Sequence, residues 1–185
     1  MPSPELAGAQ AVAGRRSISW LGRIAGLALV PFIMGATGLT SNADLRLLAS
    51  HNRERAALGI PPLRWDPELV AGARQWAKRL AVTGGFHHAP ENIAEPQGEN
   101  LWAGTRGAFP VEAMVDAWVR ERRYFKPGTF PNNSVTGRVA DVDHYTQMMW
   151  RDTHSVGCAI ARGAREDVLV CRYSEAGNYI GERPF

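Results

Sequence analysis

Downstream of Asp66 the apolar residues Leu69, Ala73, Trp76 and Leu80 recur at the spacing of one helical face. Asp66-Pro67 supplies a capping carboxylate and a proline at the first helical position, and Gly84-Gly85 ends the run. A preceding helix is predicted from about Ala43 to Leu58, capped by Ser41 or Asn42 and stopped by Gly59 and Pro61-Pro62. A third spans Pro110 to Tyr124, with Val111, Met114, Val115 and Trp118 facing inward. The period changes to two near the C-terminus. Val156 to Ala161 and Val168 to Tyr173 flank a Gly163-Ala164-Arg165-Glu166 turn and read as a hairpin. Phe86 to Pro110, rich in Gly, Pro and Asn, reads as loop with a short helical turn; Lys126 to Val142 reads as a long irregular segment before a short helix. Helices first and adjacent antiparallel strands later indicate an α+β fold.

The hairpin places the cysteines. If Ala161 faces Val168, Cys158 faces Cys171, and directly opposed strand residues have Cβ atoms about 4.5–5.5 Å apart. A disulfide is expected, worth about 2–3 kcal/mol for so short a loop; two buried free thiols are the alternative.

Charge and hydropathy separate the first 43 residues from the rest. Arg15 and Arg16 precede an apolar run from Ile24 to Met34, with Gly35, Ala36 and Gly38 following. This pattern describes a secretory signal peptide over residues 1–43, with Ser41-Asn42-Ala43 suited to cleavage, leaving one domain over residues 44–185. The run is short of the roughly 20 residues of a membrane span, and an uncleaved membrane anchor is the alternative; twin-arginine export matches poorly. Of the net charge of +3, Arg15, Arg16, Arg23 and Glu5 account for +2, leaving +1 on the domain. A nearly neutral domain lacks the clustered basic face that nucleic acid requires.

Two stretches carry a resemblance. Asp143-His144-Tyr145-Thr146-Gln147-Met148-Met149-Trp150-Arg151-Asp152-Thr153 is followed by Cys171-Arg172-Tyr173 and Gly177-Asn178-Tyr179-Ile180-Gly181. Together they resemble the signature motifs of the CAP superfamily: cysteine-rich secretory proteins, antigen 5 and plant pathogenesis-related class 1 proteins. The resemblance covers Ala43 to Phe185, and the tail from Gly177 is most similar to the plant class. It implies a three-layer α-β-α sandwich with a central antiparallel sheet.

It also implies a cleft lined by two His and two Glu. His144 lies in the first signature, Glu99 in Gly98-Glu99-Asn100-Leu101, and Glu121 in a Trp-x-x-Glu element after Trp118. The remaining His is His88, two residues past Phe86, with His87 as the alternative. Imidazole and carboxylate suit zinc or another divalent metal, and two imidazoles with one carboxylate leave an open position for a polarised water. The alternative is a hydrogen-bonded cluster that holds loops together. His51-Asn52-x-x-Arg55 reads as packing of the first helix, and Tyr145 and Trp150 as core.

Three functions follow from the resemblance. The first is a secreted, non-enzymatic protein binding a sterol or lipid at Tyr124, Phe125 and Phe130, on the segment Tyr124 to Val142. The second is an extracellular scaffold or defence factor acting on a protein partner. The third is a zinc-dependent hydrolase; the family as a whole points away from catalysis.

Overall fold

The computed structural model describes residues 42–185; the expected signal segment lies outside the described residues apart from Asn42 and Ala43, which open the first helix. That helix, α1, spans Asn42–Ala57, and Gly59 at φ +65° lets the chain leave it. The second, α2, spans Pro67–Thr83. The Asp66 carboxylate accepts from the amides of Glu68 and Leu69, and left-handed Gly84 closes the C-terminus. The expected third helix is α only over Val111–Val119 (α3); the chain continues to Tyr124 as a tighter 3₁₀ turn from Arg120. The signature forms a short helix, α4, at Asp143–Met148. No helix of the described residues is long and apolar enough to cross a membrane.

Four strands make one sheet: β1 (Arg64–Trp65), β2 (Gly98–Thr105), β3 (Ser155–Arg162) and β4 (Glu166–Ser174), in the order β1-β3-β4-β2. β3 and β4 pair antiparallel with Ala161 opposite Val168 and Cys158 opposite Cys171, the expected register. The cysteines form a disulfide with Cα atoms 4.1 Å apart. The two-residue β1 joins β3 in parallel, so the sheet is mixed, with an antiparallel three-strand body.

Gly98–Thr105, expected within a loop, is instead the edge strand β2. Glu99, Asn100 and its two glycines are poor strand formers, and the free edge of β4 imposes the conformation. The glycines are there for space. A Cβ at Gly98 would collide with the Gln147 side chain, and one at Gly104 with the Trp102 ring.

Alternation along β4 sorts two cores. Leu169, Cys171 and Tyr173 face α1, α3 and α4, packing with Leu47, Val115 and Met148; Val168 and Val170 face α2, against Ala73, Trp76 and Leu80. Helices thus cover both faces of the sheet, the three-layer α+β sandwich. Tyr145 and Trp150 lie in its interior.

The His51–Arg55 motif has the packing role expected of it. Asn52 holds Leu63 by both its amide groups, donating at 3.0 Å and accepting at 2.8 Å. Buried Arg55 donates to the carbonyls of Pro61, Met148, Trp150 and Thr153. One guanidinium so ties the end of α1 to the loop after α4.

Candidate functional site

Edge strand β2 positions the first half of the site. Glu99 lies opposite Arg172 in the β2–β4 register, and the Arg172 side chain runs along Gly72, which places both on the α2 face. The loop leaving α2 brings His88 over this pair. His88 Nδ1 lies 2.8 Å from Glu99 Oε1, which also accepts from the Ala89 amide at 3.0 Å. Arg172 Nη2 sits 3.4 Å from Glu99 Oε2, and its Nη1 donates to Gln97. His88 is largely exposed while Glu99 is sunk beneath it. These groups floor a depression of about 390 Å³ rimmed by Glu91 and Glu95. His87 turns the other way: its ring meets Trp76 edge-on and its carbonyl accepts from the indole N–H. Of the two adjacent histidines, only His88 reaches Glu99.

The second half lies on the other face of β2, where Asn100 points. Glu121, in the 3₁₀ turn after α3, accepts from His144 Nδ1 at 2.7 Å through Oε1 and from the Tyr145 amide at 3.0 Å through Oε2. The Trp118 ring stacks on His144, 6.0 Å between centroids and 9° between planes. Burial alone would lower the His144 pKa. The hydrogen bond and negative charge of Glu121, joined by Asp143, outweigh it, and the pKa is raised above its ordinary 6.5.

A buried chain of hydrogen bonds runs from this histidine to α1. Asn100 Nδ2 donates to the His144 carbonyl at 3.0 Å and to the Tyr173 hydroxyl at 3.2 Å. Tyr173 meets His51 Nε2 at 2.9 Å, and His51 Nδ1 meets the Leu47 carbonyl at 2.8 Å. A carbonyl only accepts, so His51 carries its proton on Nδ1 and Nε2 accepts from the tyrosine. Asn178, at φ +60°, fastens the second signature to the first: it donates to the Asp143 carbonyl and accepts from the Thr146 hydroxyl.

The four expected ligands therefore stand as two His–carboxylate pairs, one on each face of β2. Among the described residues, the ligand atoms gathered within 4.8 Å of one another around His144 belong to Glu121, Asp143 and His144. In both pairs an acceptor-only carboxylate faces Nδ1, so Nδ1 bears the proton and Nε2 is the nitrogen left to coordinate, the arrangement of carboxylate-oriented metal-binding histidines. Glu99 Oε2 and Asp143 Oδ1 are buried without a hydrogen-bond donor. Glu99 Oε2 faces Arg172 Nη2 at 3.4 Å and Asp143 Oδ1 faces His144 Nδ1 at 3.3 Å, so the groups free to meet a cation are the Nε2 atoms of the two imidazoles.

The expected apolar-ligand residues lie beyond Glu121. Phe125 stacks on Phe185 at 5.1 Å and meets Tyr145 edge-on at 5.6 Å. Tyr124 carries the Arg123 guanidinium over its ring. Half-buried Phe130 is held by backbone bonds to Gly181 and Glu182. Arg172, Asn100, Tyr173 and Asp143 were not among the expected site residues. Their only sequence signal is position: each adjoins, or lies inside, a stretch that carries the resemblance.

The profile of the CAP family, described as "Cysteine-rich secretory protein family", matches residues 48–173. The chain is 34% identical to the pathogenesis-related protein PR-1 type of Sambucus nigra, over 88% of this chain and 93% of that protein. It is equally 34% identical to pathogenesis-related protein 1A of Nicotiana tabacum, over 78% and 82%. Among solved structures, BmVAL-1 superposes with a TM-score of 0.65 at 27% identity, covering 80% of this chain and 83% of that one.

Proposed function

Because the chain belongs to the CAP, or cysteine-rich secretory protein, family, we propose that it is exported and acts outside the cell as a defence-type binding protein of the pathogenesis-related class 1 kind, without catalysis of its own. The observation that carries the non-catalytic reading is the engagement of the carboxylates. Both oxygens of Glu121 already accept hydrogen bonds. Glu99 accepts two through Oε1, and its Oε2 is buried against Arg172. A general base must exchange a proton with a water in reach; these two carboxylates instead hold imidazoles and backbone in place. The paired signatures, the disulfide and the similarity to pathogenesis-related proteins support export and a defence role.

Each of His88 and His144 would present its own Nε2 to zinc or another divalent cation, with Glu99 fixing the first ring and Glu121 the second. A bound cation supplies Lewis acidity and a polarised water. The ligand carried for function is a sterol or similar small apolar molecule, taken against Tyr124, Phe125 and Phe130. The support is local: Phe125 is a half-buried ring stacked on Phe185, and Phe130 further along the segment is bonded to the C-terminal tail.

The test is sterol binding by the exported protein and by Phe125→Ala/Phe130→Ala, with and without a chelator. Binding that is lost in the double variant and unaffected by chelation is expected. Chelator-sensitive peptide hydrolysis that disappears in Glu121→Gln would overturn the reading in favour of a metal hydrolase.

A further inference from the structure

The seven residues Arg120–Lys126 hold four cations and one carboxylate, Glu121. Their net +3 sits in a domain, residues 44–185, of net +1, so the rest of the domain carries −2. Glu121 is turned inward to His144 and Tyr145 and leaves the cations outside. Arg122 reaches Glu54 at 3.5 Å. Arg120, Arg123 and Lys126 are exposed and, among the described residues, make no ion pair.

The backbone arranges apolar groups among these charges. The Val135 amide donates to the Tyr124 carbonyl at 2.8 Å, the Lys126 amide to Asn133 at 2.7 Å, and Phe125 bridges to Ser134. Alternation across this short antiparallel ladder turns Phe125 inward onto Tyr145 and Phe185, and sends Tyr124 and Val135 outward. Val135 is 61% exposed, and the Arg123 guanidinium lies 4.6 Å from the Tyr124 ring centre. The face is a small aromatic–aliphatic patch with the Arg123 guanidinium over its tyrosine, exposed Lys126 and Arg120 on the same short segment, and Arg138, paired with Asp141, beside it.

We infer that this face docks on an anionic membrane surface. Anionic headgroups complement the three unpaired cations. A tyrosine under a guanidinium and an exposed valine suit the headgroup–acyl boundary, where amphipathic side chains keep one end wet. An extended polyanion calls for a long basic stripe, whereas here the charge falls to negative outside the patch. The inference does not depend on sterol binding and is read at fixed sterol content.

The experiment is vesicle co-sedimentation of the full chain, comparing phosphatidylcholine vesicles with vesicles containing added phosphatidylserine. All variants share one N-terminus, so the apolar Ile24–Met34 run contributes equally. The expected result is stronger binding to the anionic than to the neutral vesicles, with the difference weakened by salt. At roughly fivefold per cation, Arg120→Gln/Arg123→Gln/Lys126→Gln should bind about a hundredfold less. Val135→Ser alone should bind less without changing the salt slope. Arg74→Gln/Lys78→Gln/Arg165→Gln removes equal charge elsewhere and should bind as wild type. An equal loss in that control, equal binding to neutral vesicles, or capture by a soluble polyanion but not by vesicles would each overturn the assignment. Unchanged far-UV circular dichroism of both triple variants keeps the comparison one of folded proteins.

Discussion

Lowering the pH from neutral to about 4 should cost this domain about 3 kcal/mol through one side chain, His51. Its ring is fully buried, with Nδ1–H on the Leu47 carbonyl and Nε2 accepting from Tyr173. Burial pushes its pKa down, the Leu47 carbonyl partly offsets this, and the Arg55 charge adds to it, leaving about 4 against an ordinary 6.5. The sign follows from which state takes the proton first. Below pH 6.5 the unfolded chain protonates His51 while the folded protein does not, so stability falls with falling pH and levels off near 4. At about 1.4 kcal/mol per pH unit the gap corresponds to about 3 kcal/mol. His144 acts in a different window. Its raised pKa contributes stability that is full below 6.5 and lost as pH rises through the folded value. Urea denaturation across this range should therefore show stability falling on the acid side of 6.5 in the wild type. His51→Gln should be less stable at neutral pH but flatter below it. A wild-type midpoint that does not move between neutral pH and about 4.5 would refute the reasoning, as would the same acid slope in His51→Gln.

Three further outcomes follow from the same structure. Arg55→Lys replaces a guanidinium bonded to four carbonyls with three donors at one point; at about 1–3 kcal/mol per orphaned acceptor it should destabilise by at least about 2 kcal/mol in chemical denaturation. Gly157→Ala puts a methyl group into the backbone of α2 at Asp66 and Val70 and should cost about 3 kcal/mol or more, read as a lower Tm. Zinc affinity measured by calorimetry should fall as the pH drops through the raised His144 pKa, because proton and metal compete for the imidazole, and His144→Ala should abolish that dependence.

What could be read from the chain depended on how local the cause was. The α2 helix announced itself through its stripe, the Asp66-Pro67 start and the Gly84 stop, all within a few residues of one another. The hairpin did so through its period, and that register alone set Cys158 against Cys171. β2 was hidden because Gly98, Glu99, Asn100 and Gly104 have no strand preference of their own and take their shape from β4. The same hidden pairing decides which side of the sheet Glu99 occupies. Tyr173 and His51 are 122 residues apart, and no spacing rule connects them. His88 over His87 turned on a tertiary contact, Trp76 claiming the carbonyl and ring of His87.

The Cys158–Cys171 bond lies directly across two hydrogen-bonded neighbours rather than between distant elements. It therefore acts on the chain when nothing else is folded. In the oxidised denatured protein Ala159 and Val170 stay near each other, and a one-residue slip, which would exchange the two cores, is forbidden before any helix has formed. The hairpin is thus a memory of the sheet that outlasts denaturation, onto which β2 and β1 have only to add. As long as the bond stays oxidised, the register of β3 on β4 is settled before the rest of the sheet assembles.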